Sequence, residues 1–95
     1  MRLVSVQPAH DGKHKFVAHF EDNNRDFTTK FGAAGMDDYL ITHSKTQRDR
    51  YRQRHQKDLE TGDPTRAGFL SMWLLWGPSR SLSKNIKNYK THFGM

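Results

Sequence analysis

Four arginines, Arg48, Arg50, Arg52 and Arg54, alternate along one stretch that runs into His55. Guanidinium groups bind phosphates and carboxylates, and a histidine beside them could move protons. On a helix, however, every-second spacing spreads the four around the cylinder instead of lining one groove-facing edge, so a dedicated DNA-recognition helix is disfavoured. Ser44, Arg48, Tyr51, His55 and Leu59 fall in a stripe about 60° wide, which makes this the inward face. A buried unpaired charge is costly, so Arg48 is expected to bond a carboxylate such as Asp37 or Asp38. His55 reads as a core histidine donating to a carbonyl or an Asp, with no nucleophile paired to it. Asp38, Arg48 and His55 are thus expected to form a polar network holding helix to sheet.

Other reactive residues carry less. His14 and His19 are an odd number of residues apart and would leave opposite faces of a strand, so His10, His14 and His19 make no metal site. Asp37-Asp38 lacks further oxygen ligands and reads as a cap or an ion-pair partner. Ser71, Ser79, Ser81 and Ser83 have no nucleophile elbow around them, and Gly32 to Gly35 lacks both the Lys-Ser/Thr of a P-loop and the third glycine of a dinucleotide fingerprint. With no cysteine in the chain, thiol catalysis, disulfide scaffolds and iron–sulfur chemistry are excluded and the redox compartment is unreadable. The expectation is a protein that is not an enzyme, with no catalytic residues, no metal and no cofactor.

Charge is distributed unevenly. Lys and Arg number 16 against 10 Asp and Glu, a net +6. From Pro64 onward stand Arg66, Arg80, Lys84, Lys87 and Lys90 with no acidic residue, so that third supplies +5 of the total. Such a pole attracts phosphates, acidic protein surfaces or anionic lipid. Beside it, Met72, Trp73 and Trp76 could anchor a partner or stack on bases; one indole is expected in the core and the other in a contact.

These residues must be positioned by one small domain, residues 1–95, with a β part over about 1–32 and a helical part over about 37–95. Apolar residues are 34% of the sequence, below the roughly 45–50% of ordinary domains, and mean hydropathy is −0.96, so the core is thin and rests on 11 aromatic residues, six Phe, three Tyr and two Trp. Arg2 to Gln7 and Lys13 to Phe20 alternate as strands do; Glu21 to Arg25 is turn chemistry; Phe27, Thr29 and Phe31 share a face. A single turn is expected at Met36 to Tyr39, then helices over Ser44 to Glu60, Pro64 to Leu75, and onward from a Ser81 cap with Leu82, Ile86, Tyr89 and Phe93 inward. The middle helix is apolar on every side and calls for cover on every side. No apolar run approaches the roughly 20 residues of a membrane span, and no signal-peptide run opens the chain. The expected fold class is α+β: an N-terminal antiparallel β-hairpin or meander packed against three C-terminal helices.

The motifs Lys30-Phe31-Gly32, Asp38-Tyr39, Thr42 with His43, Arg50-Tyr51-x-x-Arg54-His55, Thr65-x-Ala67-Gly68-x-x-Ser71, Leu75-Trp76 and Asn88-Tyr89-Lys90-x-x-Phe93-Gly94 resemble a family of small uncharacterised proteins of chloroviruses and other phycodnaviruses, the large algal DNA viruses, and of some protists. The likeness runs from about Lys13 to Gly94. It brings no activity and no catalytic residue. It implies a setting: an icosahedral virion with an internal membrane, many minor capsid proteins and a genome that needs basic partners.

Composition and resemblance together predict a non-enzymatic structural and interaction protein, a minor capsid component that bridges neighbouring subunits, localised to the virion and to the host cell during assembly. Met72, Trp73 and Trp76 are the expected apolar anchors; Arg80, Lys84, Lys87 and Lys90 are the expected steering charges. Expected partners are other capsid proteins or acidic protein surfaces. The alternative is a basic nucleic-acid-binding protein for genome packaging. Contact with membrane lipid is left open.

Overall fold

The structure, a computed structural model, describes residues 1–95. Strands β1 (Arg2–Pro8), β2 (His14–Asp22) and β3 (Arg25–Ala33) form an antiparallel meander in the order β1-β2-β3. The β2–β3 hairpin closes on Asp22 opposite Arg25, with Asn23 and Asn24 at φ 48° and 68° between them. A two-residue hairpin turn of this hand needs positive φ at both positions, which asparagine tolerates. Between β1 and β2 the register slips at Val4, a bulge that leaves its side chain outside.

Alternation puts Leu3, Ala18, Phe20 and Phe31 on the buried face. Phe20 stacks on Phe27 at 5.2 Å and Phe16 tilts on Phe31 at 5.8 Å. At the end of β3, Gly32 has φ +77°, and a Cβ there would lie 2.8 Å from Leu75 Cδ1. Glycine is therefore required both by the backbone angle and by the close approach of the helical half.

The helical half is more broken than the sequence implies. Helix α1 spans Tyr39–Thr42, three residues later than the expected turn, because Asp38 caps it, accepting from the Ile41 N–H at 3.2 Å. The single helix expected over Ser44 to Glu60 is two: α2 (Lys45–Arg54), capped by Ser44, and α3 (Lys57–Glu60). Helix α2 fully buries none of its residues, so packing does not carry it past His55, and the chain tightens into i→i−3 bonds, Asp58 to His55 and Leu59 to Gln56.

Helix α4 (Ala67–Leu70) begins at Ala67 instead of Pro64, because the Asp63 carboxylate accepts from both the backbone N–H and the hydroxyl of Thr65 and fixes a turn first. It continues as a π-helical stretch over Ser71–Leu75, in which the Trp76 N–H bonds the Ser71 carbonyl five residues back at 3.0 Å. Helix α5 (Leu82–Phe93) starts at Ser81 and stops at Gly94, φ 67°. Phe69, Leu70, Leu74, Leu75 and Tyr89 from these segments close the core against the sheet. The fold is α+β, a three-stranded antiparallel sheet followed by helices. No helix is long and apolar enough to cross a membrane.

Candidate functional site

Leu82, Ile86, Tyr89 and Phe93 turn inward on α5, so Lys84 and Lys87 stand exposed on its outer side. Arg80 is exposed just before the helix, and Lys90 is half-buried on its flank. Of the ion pairs in the chain, only Arg66 with Asp63 involves a residue beyond position 63. These four cations therefore have no carboxylate partner. Lys84 and Lys87 are three residues apart on the outer side of α5, and Lys90 follows at the same spacing.

The apolar anchors do not join them. Met72 is 1% exposed and Trp76 is 5% exposed, which corrects the assignment of both as partner contacts. Trp76 is covered because Tyr51 stacks on it at 4.2 Å, nearly parallel, and His55 stacks on the other face of Tyr51 at 4.0 Å. Trp73 alone keeps a half-exposed indole, edge-on to Tyr89 and Phe93 and near His92.

The expected network of Asp38, Arg48 and His55 is likewise corrected. Asp38 is 2% exposed and pairs with Lys15 Nζ at 2.5 Å. Arg48 donates through Nε to the Gly77 carbonyl at 2.7 Å, reaches its exposed neighbour Asp49, and lies over the Tyr39 ring. His55 is not a core residue; its ring is exposed apart from the Tyr51 stack, with Nδ1 3.5 Å from Asp58. Each of the three groups found a nearer partner than the others.

Several residues outside the expected set organise the region. Arg52 donates to the carbonyls of Met72 and Trp76, at 2.8 and 2.9 Å. With Arg48 it puts positive charge at the C-terminal end of the π-helical stretch, where unsatisfied carbonyls favour it. Burial, and next the charge of Arg48, pull the Arg52 guanidinium below its ordinary pKa. Buried Asn85 donates to the carbonyls of Leu74 and Ser79 and accepts from the Ser79 N–H. The every-second spacing of the arginines was the signal for Arg52: half of them had to turn toward the body of the protein. Lys15 and Asn85 left no such mark.

Between the end of β3, α2 and α4 lies an open cleft of about 580 Å³. Lys15 and Asp37 stand on one side and Gln47, Arg54 and His55 on another, while Ser71, Leu75 and Trp76 supply part of the wall. The outer arginine Arg54 is exposed and free of any ion pair or hydrogen bond. This cleft gathers His55 but neither Asp38, which is buried against Lys15, nor His43. Ser71 and His55 both line it with no hydrogen bond between them, and no group of three or more His, Asp or Glu is placed to hold a metal ion.

A model described as a family of unknown function (DUF5754) matches residues 4–55, more than half of the chain, so the chain belongs to that family. The matched segment holds the sheet, α1 and α2, and stops before α5. No curated protein and no solved structure matches.

Proposed function

We propose, for this member of a family to which no activity is attached, that the chain is a non-enzymatic interaction protein whose working surface is the basic face of α5. The partner is polyanionic, and the phosphates of nucleic acid fit it best. The observation that carries this reading is the set of exposed, unpartnered cations Arg80, Lys84 and Lys87, flanked by Lys90, in a third of the chain without an Asp or Glu. Protein–nucleic acid interfaces are more polar and more positive than protein–protein interfaces, which need desolvated apolar anchors at their centre. With Met72 and Trp76 consumed by the core, little of that kind remains beside the cations. In the setting that the viral resemblance implies, the role is genome contact within the virion.

A second reading, a minor capsid protein bridging acidic neighbours, draws on the half-exposed indole of Trp73. It shares a small recess with Asn88 and Pro78, where one anchor side chain of a neighbour could seat.

A gel-shift titration of the intact protein with generic duplex and single strands, run across salt, tests the proposal. Log affinity should fall linearly with log salt, with a slope set by the number of phosphates neutralised. Absence of binding at about 50 mM salt would remove the nucleic-acid reading and leave the capsid-bridging one.

A further inference from the structure

The cleft between β3, α2 and α4 contains two donors that the fold leaves unused. Ser71 is 7% exposed and Trp76 5%, yet neither the Ser71 hydroxyl nor the Trp76 indole N–H bonds any group of the protein. No fully buried side-chain nitrogen or oxygen in the chain lacks a partner. These two atoms must therefore stay reachable from outside, and the cleft that both residues line is the opening available to them. Both donors belong to residues that are more than nine-tenths buried, so each has few directions from which an acceptor can approach, and a bound acceptor would replace water there.

Ser71 and Trp76 are also the two ends of one π-helical hydrogen bond, Trp76 N–H to Ser71 carbonyl at 3.0 Å. A regular α-helix would not join residues five apart. The wider turn rotates the chain after Ser71 so that hydroxyl and indole line the same opening. Such wide turns are rare and occur frequently at functional sites.

We infer that this cleft binds a small organic anion, whose phosphate or carboxylate accepts from Ser71 and Trp76 and pairs with Arg54. The volume falls within the ~300–1,000 Å³ of small-molecule sites. The charges around it are mixed but not equivalent. Lys15 is neutralised by Asp38 behind the wall and His55 lies against Asp58, whereas Arg54 has no partner. Planar guanidinium groups bind phosphate and carboxylate through two parallel bonds. Gln47 adds a free amide N–H, since its oxygen already accepts from Thr42 at 2.7 Å. The exposed carboxylate of Asp37 opposes the anion from the rim. The site is independent of the α5 face: none of Arg80, Lys84, Lys87 or Lys90 lines it.

The chain has two tryptophans, so a nitrogen-15 correlation spectrum carries two indole N–H signals, assigned by Trp73→Phe. Adenosine monophosphate and benzoate are the phosphate and carboxylate probes, and uncharged adenosine is the control. The Trp76 signal should move and saturate with at least one charged probe while Trp73 stays in place. Arg54→Ala should weaken that binding about tenfold and Ser71→Ala several-fold, as expected for charge-assisted and neutral hydrogen bonds; Asp37→Asn should strengthen it. Arg54 and Asp37 are exposed and unbonded, so both variants should melt as the parent does. No saturable Trp76 shift up to about 10 mM of either charged probe, a weaker limit than the ~1 mM affinity of a minimal site, overturns the site. So does an equal response to adenosine, or binding indifferent to both Arg54→Ala and Asp37→Asn.

Discussion

Asn85 and Ser79 exchange a reciprocal pair of hydrogen bonds: Asn85 Oδ1 accepts from the Ser79 N–H at 3.0 Å, and Asn85 Nδ2 donates to the Ser79 carbonyl at 2.9 Å. A third bond, from the same amide nitrogen to the Leu74 carbonyl, ties the end of the π-helical stretch to α5. Replacing Asn85 with Leu fills similar volume and strands three backbone groups. Stability should fall by about 3 kcal/mol, read as a lower urea midpoint with an unchanged m-value. A midpoint within error of the parent would show that water satisfies those groups.

The Lys15–Asp38 pair makes a second case. Both side chains are largely buried, so removing one leaves the other as an uncompensated charge. Lys15→Ala should cost about 3 kcal/mol, and the double change Lys15→Met with Asp38→Asn should cost clearly less than the sum of the singles. Additive losses in a thermal melt would mean that the pair is not coupled.

At Gly77 the constraint is steric. A Cβ there would lie 2.2 Å from the Trp73 carbonyl and 2.9 Å from Asn85 Oδ1, and the residue has no positive φ to add strain. Gly77→Ala should therefore destabilise by about 3 kcal/mol and shift the Trp73 indole resonance. An alanine variant with parental stability would require the loop to sit elsewhere.

The alkaline limb of stability should depend on tyrosine. Burial raises the pKa of both Tyr89, whose hydroxyl donates to the Pro64 carbonyl at 2.6 Å, and Tyr51. A folded pKa above the unfolded value of about 10 means that this stability is whole below pH 10 and is lost as pH climbs past it. Tyrosinate absorbance from these two residues should arrive with unfolding instead of before it, and Tyr89→Phe should flatten the alkaline fall. On the acid side, the His14 side chain, followed by the backbone N–H groups of Lys13 and His14, holds the Asp11 carboxyl well below the usual range. That contribution is present above about pH 4 and fades as pH drops further.

For the basic face, Lys84→Glu with Lys87→Glu should abolish generic DNA retention and leave the melting temperature within about 2 °C, since exposed charge changes rarely exceed ~0.5 kcal/mol. Retention by this variant equal to the parent's would move the nucleic-acid contact away from α5.

Periodic features were legible before the structure: the alternation in β2 and β3, the Asn23-Asn24 turn, the Ser81 cap and the inward stripe of α5. Each is a local pattern with a local physical cause. Pairings between distant segments were not. Asp38 sits 23 residues from Lys15, and helical geometry ranks Arg48 on the correct face without saying that a backbone carbonyl would reach it first. The apolar stretch from Phe69 to Trp76 calls for cover on every side, and its sequence does not say that α2 supplies part of it. Tyr51, backed by His55, lies across Trp76. The π-helical stretch leaves no compositional trace, since one extra residue in a turn changes no propensity.

That extra residue has an evolutionary reading. A one-codon deletion between Ser71 and Leu75 would turn the bond from Trp76 to Ser71 into an ordinary four-residue helical one and leave the indole beside Tyr51 and Gly77 beside Arg48. The same deletion from a regular turn of α5 would swing everything after it by roughly 100° about the axis. Loss of one residue should therefore be tolerated by the fold in this segment and not in α5.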